Sequence, residues 1–257
     1  HPHHSSDYVD LGNFNFELED NTVSHDYILV NLGDVNNDGY LNILDVVRIV
    51  NVIVGNATWS DDGYDDDEMQ AYLADFNQDG ILNILDVVEL INVIMGYTDE
   101  MLSRSQSPSE LEIGLSSSSI RISLDGGVGG VEISTEGEYA LTSAQLPENW
   151  EYYNGPSGIV FLNMSGLDTQ TNIQLEFDGE LTIIEHLASD LYGNAIESSV
   201  NAIPDSYVLN SAYPNPFNPV TTISYGLPME GHVKLVLYDL IGRQVAVLYD
   251  DMQHAGY

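Results

Sequence analysis

Two stretches of the first hundred residues decide the fold of this part of the chain. Residues 34–55 read DVNNDGYLNILDVVRIVNVIVG, and residues 75–96 read DFNQDGILNILDVVELINVIMG. The two copies are identical at 15 of 22 positions and are offset by 41 residues. A repeat of this kind indicates one supersecondary unit that occurs twice and buries its apolar face against its neighbour.

Each copy opens with the pattern D-x-N-x-D-G-x-x-N-x-x-D, the EF-hand calcium loop with aspartate as its closing acid. Calcium takes about six to eight oxygen ligands, and the glycine at loop position 6 permits the sharp turn. We therefore predict two Ca²⁺ ions. The predicted ligands of the first are Asp34, Asn36, Asp38, the Tyr40 carbonyl, Asn42 and Asp45, and those of the second are Asp75, Asn77, Asp79, the Ile81 carbonyl, Asn83 and Asp86.

A strongly apolar helix is predicted after each loop, because valine, isoleucine and leucine cover most of its circumference. Such a helix is buried on more than one side. Gly55 and Gly96 are placed to end the two helices as C-caps. One face packs on the other repeat, and the rest needs a third surface, either an adjacent domain or a partner.

Two loop-plus-helix repeats without an entering helix resemble a type I dockerin over residues 33–96. The resemblance implies two calcium ions and binding to cohesin modules through loop positions 10 and 11, here Ile43-Leu44 and Ile84-Leu85. Many family members carry Ser or Thr there, so the apolar pairs favour an apolar, permanent contact over the polar recognition code. The acidic linker at residues 56–73 is either a solvated face or a third calcium site.

The charge balance restricts the partners of the chain. There are 41 acidic residues against 5 basic ones, which gives a formal net charge of −36. This excludes nucleic-acid binding through a basic face and argues against anionic membrane surfaces, because both need clustered cations. No apolar run reaches the ~18 residues of a membrane span, so we expect no membrane insertion. The chain has no cysteine and therefore no disulfides, so we expect bound metal ions to stabilise its fold instead.

From Glu110 onward, short alternating runs are separated by turn residues, a spacing typical of an antiparallel β-sandwich. We predict this sandwich over residues 109–203, after a linker at 99–108. The stretch NIQLEFDGELTIIEHLASDLYGNAIESSV at residues 172–200 resembles the closing strands of a cohesin. An unrelated immunoglobulin-like sandwich is the alternative.

The last segment begins with YPNPFNP at residues 213–219 and continues with KLVLYDLIGRQVAVL at residues 234–248. It resembles, over residues 207–257, the C-terminal sorting domain of type IX secretion substrates, which implies export to the cell surface or the medium. That family has further strands after the A-G-x element at residues 255–257. We therefore predict a partial immunoglobulin-like β domain at 204–257 with an exposed strand edge, which native proteins cover or pair.

The predicted fold class is thus multidomain and mostly β: an extended segment at 1–32, a small all-α calcium-loop dockerin at 33–98, a β-sandwich and a partial β domain. No catalytic motif is present, so we expect no enzyme. The expected function is that of an extracellular or cell-surface structural protein that assembles with copies of itself or with a cohesin-type protein. The alternatives are a module that docks to a separate scaffold, and a fragment of a polysaccharide-degrading enzyme.

Overall fold

The computed structural model describes residues 31–62, 67–98, 102, 110–167 and 169–257. Most of the predicted extended segment at 1–32 and most of the predicted linker at 99–108 lie outside the described residues. The described part forms a small unit of helices, a nine-stranded sheet and a C-terminal pair of two-stranded sheets.

The helical unit, residues 31–98, contains the helices α1 (Ile43–Ile53), α2 (Asp67–Ala74) and α3 (Ile84–Met95), and a short 3-10 helix (Trp59–Asp62). Helices α1 and α3 begin at Asn42 and Asn83, each as part of a capping box that satisfies two peptide N–H groups at the helix start. Gly96 ends α3 in the left-handed conformation, as predicted. Helix α1 ends at Val54, and Gly55 follows in the left-handed conformation with a φ of 76°, so the predicted role of Gly55 at the end of this helix is confirmed as well.

Helix α2 is a difference from the prediction, which treated residues 56–73 as either a solvated acidic face or a third calcium site. The structure buries Leu73 and Ala74 of this helix in the helical unit. Gln70 is also buried, and its Nε2 donates to the Val35 carbonyl at 3.3 Å. The residues before Met69 are mostly acidic, and few apolar residues follow them. The helical spacing of those apolar residues is therefore hard to recognise in the sequence.

The middle of the chain forms one curled sheet in the order β4-β7-β2-β1-β9-β8-β3-β6-β5. Strands β1 and β9 pair in parallel, whereas the other neighbours are antiparallel, so the predicted antiparallel sandwich is a mixed one. The strands are β1 Glu110–Leu115, β2 Ser119–Gly126, β3 Val128–Glu136, β4 Tyr139–Gln145, β5 Trp150–Gly155, β6 Gly158–Asn163, β7 Thr169–Gly179, β8 Thr182–Asp190 and β9 Ala195–Ala202.

The sheet curls into two layers around one apolar core. Ile122 of β2 and Ile173 of β7 meet Ile133 of β3 and Phe161 of β6 there, and all four side chains are fully buried. We call β8, β3, β6 and β5 the docking layer, and β4, β7, β2 and β1 the far layer. Alternate residues of each strand thus line the core, as in other face-to-face sheet packings.

The helical unit packs on the outer surface of the docking layer. Val160 and Leu162 of β6 belong to the same buried apolar cluster as α1 and α3. All six residues of β6 are buried, because this strand has the sandwich core on one side and the helices on the other. A strand covered on both faces reads as a continuous apolar run, as GIVFLN does here.

The terminal module, residues 204–257, contains the strands β10 (Val208–Leu209), β11 (Tyr225–Gly226), β12 (Gly231–Tyr238) and β13 (Gln244–Gln253). They form two separate two-stranded sheets, β10-β11 and β12-β13, so the predicted partial immunoglobulin-like domain is not a single sheet. The module adjoins the far layer, where Arg121 of β2 donates to the Pro228 carbonyl. Asp205 accepts from the peptide N–H and the hydroxyl of Ser117.

None of the helices in the described ranges combines the length and the apolar character needed to cross a membrane.

Candidate functional site

The first loop is folded by its own carboxylates. Asp34 accepts hydrogen bonds from the peptide N–H groups of Asp38, at 3.1 Å, and Gly39, at 2.9 Å. Asp45 closes the loop from the other end by accepting from the N–H of Asn42 at 3.0 Å and of Asn36 at 3.4 Å. The first and last acids of the pattern therefore face the same enclosed turn.

The second loop repeats this geometry. Asp75 accepts from the N–H groups of Asp79 at 3.1 Å and Gly80 at 2.9 Å, and Asp86 accepts from those of Asn83 at 2.9 Å and Asn77 at 3.1 Å. The position-6 glycines adopt φ of 86° in the first loop and 88° in the second, a region that favours glycine. The remaining predicted oxygens also lie in the turns: the Tyr40 and Ile81 carbonyls accept from the side chains of Asn42 and Asn83, both at 3.1 Å.

Burial sets the electrostatics of both loops. Asp45 and Asp86 have no exposed surface. Burial raises the pKa of each, hydrogen bonds from loop N–H groups oppose the rise, and the charges of the other two loop aspartates add to it. The charges of the three carboxylates of each loop thus act on one another, and no ion pair from a Lys, Arg or His of the described residues reaches them.

This donor set fits a calcium ion in each loop. Within the described residues, no three His, Cys, Asp or Glu side chains are grouped so as to hold an ion by themselves. The asparagine and main-chain oxygens of each loop are therefore needed as well, as the pattern predicts. When bound, calcium would supply two positive charges to three like-charged carboxylates and fix the start of the helix that follows.

The contact between the helical unit and the docking layer is close and apolar. Ile84 is fully buried, and a β-carbon added at Gly130 would lie 2.8 Å from its side chain. A β-carbon at Gly129 would likewise lie 2.8 Å from the side chain of Val88. The two glycines at the start of β3 therefore allow α3 to approach the sheet more closely than side chains would permit.

Five hydrogen bonds between described residues cross the same contact, one of them from the Tyr97 hydroxyl to the Met164 carbonyl at 3.4 Å. The Ile84 N–H donates to Glu132 at 3.0 Å, and the Asn92 side chain donates to the Leu191 carbonyl at 2.7 Å. At the end of α1, the Ser157 N–H donates to the Val54 carbonyl at 2.9 Å, and the Asn56 side chain donates to the Asn154 carbonyl at 2.9 Å. These bonds attach both helices to the sandwich. The N–H at the start of α3 and the carbonyl at the end of α1, which have no partner within their helices, are both satisfied by the sandwich.

Glu132 is a half-buried carboxylate on the sandwich side of the interface. Burial raises the pKa of this carboxyl, the hydrogen bond from Ile84 opposes the rise, and the charges of Asp86 and Glu185 increase it. Burial beside Asp86 and Asp79 also raises the pKa of Glu89 on α3. The interface is therefore apolar and rich in carboxylates.

The structure treats the two predicted partner-binding pairs differently. Ile84 is buried against the docking layer, and Leu85 is partly buried in the same cluster. Ile43 and Leu44 of the first repeat remain 41 % and 59 % exposed. Only one of the two pairs therefore contacts the sandwich, because a sheet face can cover one side of a pseudo-symmetric unit at a time.

Residues on the sandwich side of this contact, among them Gly129, Gly130 and Glu132, were not predicted from the sequence. A signal was present, since a Gly-Gly pair inside a strand pattern marks a close backbone approach. The pairing of β3 with α3, however, depends on tertiary structure that the repeat pattern does not encode.

Comparisons with known proteins bear on both parts. The family model of the dockerin type I domain matches residues 32–95, and none of the curated proteins matches the chain. Three similar solved structures are a type I cohesin–dockerin complex from Clostridium thermocellum, a non-cellulosomal cohesin from Archaeoglobus fulgidus, and the sixth cohesin of scaffoldin B from Acetivibrio cellulolyticus, solved with a mutant Cel5 dockerin.

These similarities are distant. In the same order, the sequence identities are 14 %, 13 % and 12 %, and the TM-scores are 0.25, 0.28 and 0.27. The matches cover 36 %, 38 % and 38 % of this chain and 88 %, 88 % and 98 % of the other chains. The resemblance of residues 207–257 to a sorting domain stays a prediction. The prediction of a type I dockerin over residues 33–96 is confirmed by the family match.

Proposed function

We propose that this chain is a non-enzymatic, secreted, calcium-binding structural protein that assembles with itself by exchanging its helical unit between copies. The observation that carries the proposal is the contact between the helical unit and the docking layer of the same chain. The helical unit and the docking layer are complementary surfaces of one polypeptide, so every copy carries both sides of the interface.

Exchange requires no new contact. Helix α3 ends at Met95 and β1 begins at Glu110, so fourteen residues connect the two halves. A helical unit that docks on a neighbouring sandwich makes the same hydrogen bonds and buries the same apolar surface as one that docks on its own. Protein concentration and the linker then decide between the closed monomer and the exchanged form, because the linker sets the effective concentration of the intrachain contact.

The geometry of the exchange favours an open assembly. The surface that the helical unit presents differs from the surface of the docking layer, so the contact between copies is heterologous. Heterologous contacts close into rings or continue as helical filaments, depending on the rotation between subunits. An extracellular filament is the form that we propose, and the sorting-domain resemblance of residues 207–257 supports export.

Calcium controls the joint in this proposal. Two ions change the formal charge from −36 to −32, and they relieve the repulsion among the three carboxylates of each loop. The first turn of α3, which carries the interface residue Ile84, begins inside the second loop. Loss of calcium is therefore expected to disorder the joint along with the loop.

Sedimentation of the full chain tests the proposal. We expect assembly that increases with protein concentration in millimolar-scale calcium, and its loss in chelator at the same ionic strength. Magnesium should substitute poorly, because it demands octahedral geometry and retains its waters. Insertion of a long flexible Gly/Ser segment between residues 103 and 108 should increase assembly, because a longer linker lowers the effective concentration of the intrachain contact. A chain that stays monomeric at every concentration, or that assembles equally in chelator, would contradict the proposal.

A second candidate function has its own supporting observation. The first repeat leaves Ile43, Leu44 and Tyr40 exposed while the second is docked. This surface favours docking to a separate cohesin-type scaffold. A stable one-to-one complex with another protein, together with a monomeric free chain, would support this candidate over self-assembly.

A further inference from the structure

The hairpin β12-β13 of the terminal module has little packing of its own. None of its residues is fully buried, although it contains apolar side chains along its whole length. At its tip, Leu240 is fully exposed and Ile241 is 74 % exposed. Because an isolated two-stranded hairpin is at best marginally stable in water, this sheet needs a further strand or an apolar cover.

The two outer edges of the hairpin are not equivalent. The pairing of β12 with β13 shifts register twice, and the extra residues, Val245 and Leu248, lie on β13. Bulges of this kind protect an edge against further pairing. Strand β12 runs regularly, and within the described ranges no strand other than β13 pairs with it. The outer edge of β12 is therefore the edge open to another strand.

The sequence of β12 alternates in a way that specifies its partner. By the alternation of a strand, Val233, Leu235 and Leu237 point to one face, and His232, Lys234 and Val236 point to the other. A complementary strand needs apolar residues at every second position and acidic residues between them. Lys234 already contacts Asp250 of β13 at 2.6 Å, so a carboxylate on the outer side would place this cation between two acids.

Residues 13–20, which lie outside the described residues, read NFNFELED and meet this requirement. In an antiparallel register, Phe14, Phe16 and Leu18 fall opposite Leu237, Leu235 and Val233. The same register puts Glu17 opposite Lys234 and Glu19 opposite His232. Apolar and opposite-charge cross-strand pairs both stabilise a sheet, and a slip by one residue would lose every pair.

Charge over the whole chain points the same way. The terminal module carries five acids and two bases, a net charge of −3, whereas the other 203 residues carry −33. The module is thus the part of the chain that repels an acidic strand least.

We propose that residues 13–20 of a second copy add to the outer edge of β12 as an antiparallel strand. This inference rests on the proposed self-assembly and supplies a second joint. The described part of the chain begins at Asn31 in the helical unit, which packs on the docking layer, whereas the terminal module adjoins the far layer. A strand supplied by the same copy would therefore have to reach round the sandwich. A neighbouring copy has no such constraint.

Engineered cysteines test the register, because the chain has none of its own. Two differently tagged full-length chains, one with Asn15→Cys and the other with Val236→Cys, are mixed in calcium under mild oxidation. These positions lie opposite one another in the proposed register, so we expect a disulfide-linked dimer of unlike chains. Leu237→Cys, one residue along and on the other face, is the matched control and should link poorly.

A pair of substitutions tests the energetic role. Phe16→Asp puts a charge among apolar side chains and should raise the protein concentration needed for assembly by about tenfold or more. Asn15→Asp adds the same charge on the polar side of the segment and should leave assembly intact. Equal effects of the two substitutions would overturn the proposed strand.

The cross-linking result also separates this inference from the proposed function. A mixed dimer that forms at comparable yield in calcium and in chelator supports strand addition whatever the helical unit does. Absence of the mixed dimer, or equal linking at residues 236 and 237, overturns it. A chain that carries both Asn15→Cys and Val236→Cys and forms only an intrachain disulfide shows that the segment comes from the same copy, which also overturns it.

Discussion

The internal repeat supplies a matched pair of substitutions that tests the docking interface. Ile84 and Ile43 occupy the same position of the two copies, after the same loop and at the first residue of the same kind of helix. They differ in surroundings, because Ile84 is fully buried against Gly130 whereas Ile43 is 41 % exposed. We therefore expect Ile84→Ala to be much more destabilising than Ile43→Ala.

The structure sets the size of the difference. Truncation of a fully buried isoleucine to alanine costs about 2–5 kcal/mol, since the cavity term adds to the lost transfer free energy. At the half-exposed position, the loss is about 1 kcal/mol or less. The intrinsic helix propensity of alanine applies equally to both substitutions and cancels in the comparison.

Urea unfolding in saturating calcium, followed by the helical circular dichroism signal, measures the effect. That signal comes from the helical unit, since α1, α2 and α3 are the α-helices of the described residues. With a denaturant slope of about 1–3 kcal/mol per molar urea, we expect the Ile84→Ala midpoint to fall below that of Ile43→Ala by about 1 M, within a range of roughly 0.3–4 M. Equal midpoints for the two variants would refute the assignment of the second repeat as the docked one.

Further predictions concern the other side of the interface and the loops. Gly155→Ala should weaken docking, because the added β-carbon would lie 2.3 Å from the main-chain oxygen of the residue that ends α1; Gly231→Ala, which meets nothing within 4 Å, is the control, and thermal melting compares them. Glu132→Gln should lower the melting temperature less than Glu132→Ala, since glutamine can still accept the N–H at the start of α3, whereas alanine leaves it unsatisfied at a cost of about 1–3 kcal/mol. If the two variants melt alike, this hydrogen bond does not stabilise the contact. Excess chelator should abolish the helical signal of residues 31–98, as should Asp34→Ala combined with Asp75→Ala; an unchanged signal would contradict the calcium assignment.

Local chemistry explains which parts of the fold were predictable. The spacing of Asp34, Asp38 and Asp45 requires a turn that gathers oxygens, so the loop could be read from the residue types alone. The strand runs between residues 110 and 190 were visible in the same way, through their alternation. Helix α2 was not, because its few apolar residues follow an acidic run and are buried only by contact with the rest of the helical unit.

The candidate site also has a part that could be predicted from local sequence and a part that could not. The two loops were predictable, since every proposed ligand lies within one short segment. The docking interface was predictable only in part, because its sandwich half is assembled from β3, β5, β6 and the turn after β8. Glu132 and Ile84 are 48 residues apart in sequence, and only the curled sheet brings them to 3.0 Å.

The two loops with a calcium-binding pattern, the helices that follow them and the strand content could be derived from the residue pattern, because each depends on residues close together in the chain. Which repeat is docked depends on the tertiary structure. The residues at positions 43–44 and 84–85 are identical in the two copies, so no local property distinguishes Ile84 from Ile43. Burial distinguishes them, because one sheet face covers one side of the helical unit and leaves the other side in solvent.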